Sequence, residues 1–150
     1  WVILPVNRRR KAVAIRNVFE HLRELSASIE NLAVEDLKRE LEAGDELLLI
    51  DLREIQELVE RGTIPGATHV PRGMLEFWAD PASPYGRDYF GEHKRTVVFC
   101  AGGGRSVYAV KALQDMGFTN VAHLAQGFGG WSGAGEPVED YAARSRWVKR

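Results

Sequence analysis

The hydrophobic positions of this chain fall into short blocks with two different periodicities. Continuous apolar runs at 47–52 and 96–100 are typical of strands covered on both faces, as in a parallel sheet. Shorter runs of strand character are found at 29–32, 67–70 and 120–124. Segments with helical spacing lie between them, at 34–43, 54–61, 73–79 and 106–116. Strands that alternate with short helices predict an α/β fold with a mostly parallel central sheet.

An extra N-terminal helix is predicted over residues 11–28, before the alternating pattern begins. Its apolar residues fall at helical spacing: Ala12, Ile15, Phe19, Leu22, and Leu25 or Ser26. We expect this apolar stripe to pack against the rest of the protein. The chain therefore divides into an N-terminal extension (1–28), an α/β domain (29–135) and a weakly helical C-terminal tail (136–150).

The most informative chemistry lies at the end of the second continuous apolar run. There the chain's one cysteine precedes three glycines and an arginine, in the order Cys100, Ala101, Gly102, Gly103, Gly104, Arg105, Ser106. Glycines allow successive N–H groups to point inward, and the N-terminus of the following helix adds partial positive charge. Arg105 adds a planar fork of donors. Because a thiol reacts as its thiolate, we interpret Cys100 as a nucleophile rather than a buried structural cysteine.

Composition narrows the class of protein. With 150 residues, 45% of them hydrophobic and 27% charged, the chain is typical of one globular domain. A net charge of −1 predicts no nucleic-acid partner, and no apolar run is long enough to predict a membrane-spanning segment. One cysteine cannot form an internal disulfide, so we expect a cytoplasmic protein. The four histidines are dispersed, so no metal or other cofactor is expected, and His123 is interpreted as a core or rim residue.

Several stretches resemble the rhodanese domain in order and spacing, over about residues 29–135. They are LIDLRE (49–54), GTIPGATHVPRG (62–73), VFCAGGGRS (98–106), LQDMGF (113–118) and GFGGW (127–131). The resemblance implies a three-layer fold and a sulfurtransferase that needs no cofactor. In that family a cysteine thiolate takes sulfur from thiosulfate or a persulfide and passes it to cyanide, a thiol or a protein acceptor.

The resemblance also implies roles for individual residues. Cys100 would carry the sulfur, and the loop from Ala101 to Arg105 would bind substrate through its N–H groups. Arg105 would either face the substrate or brace the loop through the carboxylates of residues 51–54. Asp51 is interpreted as a brace rather than as an acid or base. The remaining supporting residues are Ser106, at the start of the helix, and Arg53 and Arg72, which are either anion contacts or members of structural salt bridges.

The length of the loop favours sulfur transfer. Four residues separate Cys100 from Arg105. The related cell-cycle phosphatases and arsenate reductases have a longer loop, which leaves room for a tetrahedral anion. The loop interior contains only Ala and Gly, so no side chain between Cys100 and Arg105 can engage the sulfonate of thiosulfate. This favours a small persulfide or a protein as the donor, and leaves open a module that carries sulfur or binds partners without turnover.

Overall fold

One parallel sheet forms the centre of the protein. The computed structural model describes residues 14–145, so the predictions for residues 1–13, which include the start of the N-terminal helix and Ala12, and for residues 146–150 lie outside it. The strands are β1 (Glu30–Leu32), β2 (Leu48–Asp51), β3 (Thr68–His69), β4 (Thr96–Phe99) and β5 (Val121–Leu124). They are arranged in the order β1-β5-β4-β2-β3, and each neighbouring pair is parallel. The predicted α/β class is confirmed.

Helices cover both faces of the sheet. They are α1 (Val18–Ser26), α2 (Val34–Glu42), α3 (Ile55–Arg61), α4 (Leu75–Ala79), α5 (Gly104–Met116), α6 (Gly127–Gly133) and α7 (Tyr141–Arg144), with a 3₁₀ turn at Arg72–Met74. Side chains of α2 and α6 join one core cluster, and side chains of α4 and α5 join the other. The result is the three-layer arrangement that the resemblance implied. Within residues 14–145, no helix combines the length and the apolar character that crossing a bilayer requires.

The continuous apolar runs are explained by burial on both faces. Every residue of β2, β4 and β5 is buried. Side chains alternate between the two core clusters along each strand, so Val97 and Phe99 point to one cluster and Val98 to the other. Because no face of these strands meets solvent, alternation with polar residues is absent from the sequence.

The predicted N-terminal helix is longer than the observed one. Residues 14–17 are not helical, and α1 begins at Val18. The side chain of Asn17 accepts hydrogen bonds from the backbone N–H groups of Phe19 (3.0 Å) and Glu20 (3.1 Å). This N-cap satisfies donors that an α-helix leaves free in its first turn, and it fixes the start of the helix.

The prediction that the apolar stripe of this helix packs against the rest of the protein holds for part of the stripe only, since Leu22 and Leu25 are half-buried. No residue of α1 is buried, Phe19 is 72% exposed, and Ile15 just before the helix is 97% exposed. The helix lies against α5, where the imidazole of His21 is hydrogen-bonded to the hydroxyl of Tyr108 at 2.9 Å. A helix that touches the protein along one side only cannot bury a stripe wider than that contact.

Part of the C-terminal segment packs onto the domain. Glu139 and Thr63 exchange backbone hydrogen bonds in an isolated antiparallel bridge, and Ala142 of α7 is buried. The indole of Trp131 donates to the carbonyl of Pro137 at 2.7 Å. These contacts join the segment after Gly135 to α6 and to the end of α3.

Candidate functional site

Cys100 follows the carboxyl end of β4 and is 1% exposed. The backbone turns sharply at Gly103, where φ is 104°. A Cβ atom at this position would lie 2.2 Å from the carbonyl oxygen of Ala125, so both the space and the dihedral angle require glycine. The turn directs the N–H of Gly103 to the sulfur of Cys100 at 3.2 Å. One inward-pointing donor of the predicted cradle is therefore in place.

The helix after the loop begins earlier than predicted. Helix α5 starts at Gly104 rather than at Ser106, with Gly103 as its N-cap. Arg105 therefore belongs to the first turn of the helix instead of ending the loop. The first N–H groups of an α-helix have no partner within the helix, and the helix dipole is positive at this end. The sulfur of Cys100 lies close to this end of the helix, since it accepts from the N–H of the N-cap Gly103 and contacts the hydroxyl of Ser106 in the first turn.

Helix α6 holds the backbone of the loop from the other side. The N–H of Phe128 donates to the carbonyl of Cys100 at 2.8 Å, and the N–H of Gly129 donates to that of Ala101 at 3.0 Å. A Cβ atom at Gly127, where φ is 63°, would lie 2.5 Å from the Ala101 oxygen. The close approach explains why a glycine-rich segment stands here in the sequence.

The structure corrects the predicted partner of Arg105. The guanidinium forms a bidentate ion pair with Glu57 of α3, with N–O distances of 2.9 and 3.0 Å. The predicted partners were the carboxylates of residues 51–54. The same Glu57 carboxylate accepts from the backbone N–H of Glu54 at 2.8 Å. The carboxylate therefore ties the start of α3 to the start of α5. The pKa of Arg105 is raised, chiefly by its hydrogen bonds with Glu57 and to a smaller degree by Cys100.

Glu57→Gln is expected to weaken this tie and to loosen Arg105 beside the sulfur. Hydrogen bonding with Arg105 holds the pKa of Glu57 at about 2, below its ordinary 4.5. Because the pKa is lowered in the folded protein, the stabilisation is present above pH 4.5 and is lost as pH falls towards about 2. Urea unfolding should show that wild type is more stable than Glu57→Gln at about pH 7. The difference between their free energies of unfolding should become smaller by about pH 3.

Glu60→Gln is the matched control for this experiment, since Glu60 lies exposed on the same helix. The free energy of unfolding of Glu60→Gln should equal that of wild type at both pH values. An unchanged gap between wild type and Glu57→Gln as the pH falls would contradict the assigned role of the ion pair.

Asp51 is hydrogen-bonded to Arg53 and not to Arg105. Both residues are buried, and the Arg53 guanidinium donates to the two Asp51 oxygens at 3.0 and 2.7 Å. Thr63 donates its hydroxyl proton to Asp51 at 2.7 Å, and Arg53 also donates to the carbonyl of Gly62 at 2.7 Å. The guanidinium stacks 4.0 Å from the ring centre of Phe128. This network connects the end of β2 to the helix that holds the loop.

Arg72 also lies in a salt bridge, but on the surface. Its guanidinium is 2.5 Å from the carboxylate of Glu76, one helical turn further along. Of the four supporting residues, Asp51, Arg53 and Arg72 are thus members of ion pairs, and Ser106 alone is bonded directly to Cys100.

The sequence interpretation missed a hydrogen-bond chain behind the sulfur. Cys100 Sγ lies 3.6 Å from Ser106 Oγ, which lies 2.8 Å from Nδ1 of His123. Nε2 of His123 lies 2.6 Å from the side-chain oxygen of Asn31. His123 is 2% exposed, and this burial lowers its pKa. The available signal was a lone polar residue inside an apolar strand, since a buried polar side chain requires partners.

Comparison with known proteins identifies the family. A family model described as the rhodanese-like domain matches residues 33–134. Two Bacillus subtilis proteins are similar: the proposed sulfurtransferase YtwF is 33% identical over 73% of this chain and 96% of its own length. The proposed sulfur carrier protein YrkF is 30% identical over 81% of this chain, which spans 61% of the length of YrkF.

A solved structure adds a third likeness. A Rhodopseudomonas palustris protein of unknown function, described as a possible tyrosine phosphatase, superimposes with a TM-score of 0.80 and is 42% identical, covering 87% of this chain and 99% of that one. The family model covers most of the sheet together with the cysteine loop. On this ground the chain belongs to the rhodanese-like family of sulfurtransferases and sulfur carriers.

Proposed function

We propose that the protein is a sulfurtransferase that carries a sulfane sulfur as a persulfide on Cys100. The thiolate attacks the outer sulfur of a donor, such as thiosulfate or a small persulfide. The S–S bond of the donor breaks, and the remainder, sulfite for thiosulfate, leaves with the bonding electron pair. A thiolate or cyanide acceptor then attacks the outer sulfur of the persulfide, and Cys100 leaves as a thiolate.

The observation that carries the proposal is the hydrogen bond from the Gly103 N–H to the Cys100 sulfur at 3.2 Å. A backbone donor aimed at a buried sulfur stabilises negative charge there, and it does so without reorganisation when charge develops. A structural cysteine in a core needs no such donor.

The short loop supports sulfur transfer over phosphate chemistry. Only Ala101, Gly102 and Gly103 separate Cys100 from α5, and the Gly103 position is already closed by the Ala125 carbonyl. No side chain of these three residues can engage a sulfonate. We therefore favour a small persulfide or a persulfidated protein over thiosulfate as the physiological donor.

A sulfur carrier without turnover is the second candidate. It is favoured by the similarity to YrkF, which is described as a sulfur carrier. A carrier and an enzyme would share the Cys100 persulfide, and they would differ in whether a small acceptor discharges it rapidly.

Two assays on the same preparation separate these functions. Sulfur transfer from glutathione persulfide or thiosulfate to cyanide is measured as thiocyanate, and phosphatase activity is measured with an aryl phosphate. We expect thiocyanate with many turnovers per protein, faster with the persulfide, and no phosphate release. A single stoichiometric discharge would favour the carrier, and phosphate release that outpaces thiocyanate would overturn the proposal.

A further inference from the structure

A series of hydrogen bonds leads from the sulfur of Cys100 through the interior of the protein to the surface of β1. It runs from Cys100 through Ser106 and His123 to Asn31, and the three contacts measure 3.6, 2.8 and 2.6 Å. The first three members are buried, and Asn31 is exposed on β1. The proposed sulfur transfer uses only Cys100. The hydrogen bonds that join Ser106, His123 and Asn31 therefore require a separate explanation.

Asn31 fixes which nitrogen of His123 carries a proton. The amide nitrogen of Asn31 donates to the carbonyls of Ser26 at 2.9 Å and Ile29 at 3.0 Å. Its amide oxygen must therefore be the atom that faces His123, because a reversed amide would place oxygen against two carbonyls. An oxygen acceptor at 2.6 Å requires that Nε2 of His123 is a donor.

The tautomer of His123 then sets the direction of the rest of the chain. A neutral imidazole with its proton on Nε2 has an acceptor at Nδ1. The Ser106 oxygen lies 2.8 Å from this nitrogen and 3.2 Å from the carbonyl oxygen of Gly103, so the nearer acceptor for its hydroxyl proton is His123. The Ser106 oxygen is left free to accept from the thiol of Cys100. The thiol of Cys100 therefore donates to the Ser106 oxygen, and the Ser106 hydroxyl donates to the unprotonated Nδ1 of His123.

We propose that His123 is a positioning residue that receives the Cys100 proton through Ser106 when the thiolate forms. The S–H bond of Cys100 breaks as Ser106 gains that proton, and Ser106 passes its own hydroxyl proton to Nδ1 of His123. The products are a thiolate and an imidazolium, so charge and protons balance. Ser106 then donates to the thiolate and accepts from the imidazolium.

The surroundings favour this assignment. Cys100 is 1% exposed, so direct proton loss to water is obstructed. Burial lowers the pKa of His123, which keeps the imidazole neutral and able to accept while the thiol is intact. Among residues 14–145, two cations lie near these groups: Arg23 of α1 lines the groove that also borders His123, and Arg105 of α5 interacts electrostatically with Cys100. Arg105 favours the thiolate on Cys100, and the imidazolium on His123 is stabilised by that thiolate, which lies one serine away and offsets the repulsion from Arg23.

His123→Asn tests the relay because it separates hydrogen bonding from proton uptake. The asparagine amide lies where Nδ1 stood and can still hold Ser106, but it cannot accept a proton. The readout is the rate of alkylation of Cys100 by iodoacetamide between about pH 6 and pH 10, where a thiol ordinarily ionises. This reaction needs a thiolate and does not need sulfur transfer.

We expect His123→Asn to slow alkylation about tenfold near pH 7 and to leave the rate at high pH unchanged. Ser106→Ala should have the same effect, since it interrupts the relay one member earlier. His93→Asn is the matched control: His93 is an exposed histidine bonded to Thr119 at 2.8 Å, and its replacement should change nothing. Circular dichroism and thermal melting establish that each variant is folded.

Two outcomes would overturn the relay. A wild-type alkylation profile in His123→Asn would mean that His123 only holds Ser106 in place. An equal loss of rate at every pH would mean that the substitution closes access to the sulfur. The relay rests on the proposed function only because both use a thiolate on Cys100. Alkylation tests the relay and thiocyanate production tests the function, so each can be refuted without the other. Wild type could fail to produce thiocyanate while His123→Asn still shifts the pH dependence of Cys100 alkylation. That pair of results would overturn the proposed function and support the relay.

Discussion

Cys100→Ser is expected to abolish sulfur transfer and leave the fold intact. Serine is close to cysteine in size, and the hydroxyl can accept the Gly103 hydrogen bond that the sulfur accepts at 3.2 Å. An alcohol is not ionised near neutral pH and forms no persulfide, so activity should fall to the background rate. Thiocyanate production per folded molecule measures the loss.

Intact-protein mass spectrometry gives an independent measurement of the same prediction. Because the chain has one cysteine, a single added sulfur after incubation with donor can be assigned to Cys100. Cyanide or dithiothreitol should remove it, and Cys100→Ser should never acquire it. Residual transfer in the variant, or an adduct that persists on it, would refute the persulfide and leave partner binding as the better account.

Arg53→Met is expected to cause the largest loss of stability among the site residues. Asp51 is fully buried, and the guanidinium donates to both of its oxygens. Removing one member of a buried ion pair leaves an uncompensated charge, which typically costs about 3–5 kcal/mol. Urea unfolding followed by circular dichroism measures the loss, and sulfur transfer should fall as well because Arg53 stacks on Phe128 beside the loop.

Two further variants show whether burial is the reason. Arg39→Met removes the arginine from an exposed ion pair with Asp36 and should unfold like wild type, since surface pairs contribute little. The double variant Asp51→Asn, Arg53→Met removes both buried charges and should recover part of the loss. Equal effects of Arg53→Met and Arg39→Met would show that the buried pair does not stabilise the fold.

The succession of strands and helices along the polypeptide, as distinct from the order of the strands in the sheet, could be predicted from the sequence because it depends on local patterns. The apolar runs that became β2 and β4 were continuous, and helices with a clear apolar face were located to within a few residues. Cys100 and its loop were also predicted, since a thiol, three glycines and an arginine are contiguous. Neighbours in sequence are neighbours in space across such a short loop.

Long-range partners could not be predicted in the same way. Arg105 pairs with Glu57, 48 residues away, and nothing in the sequence favours that carboxylate over those of residues 51–54. His123 reaches Asn31 across 92 residues because β5 lies beside β1 in the sheet. The order of the strands determines both contacts, and the periodicity of hydrophobic residues does not encode that order.

The sequence by itself determined the α/β class, the position of Cys100 at the end of a strand, and the glycines that the loop requires. The tertiary structure alone decided which charges are buried, where the sulfur's proton can go, and that the stripe of α1 stays largely exposed. The physical reason is that backbone propensity and glycine conformations act within a few residues. Burial and hydrogen-bond partners are fixed only when distant segments meet.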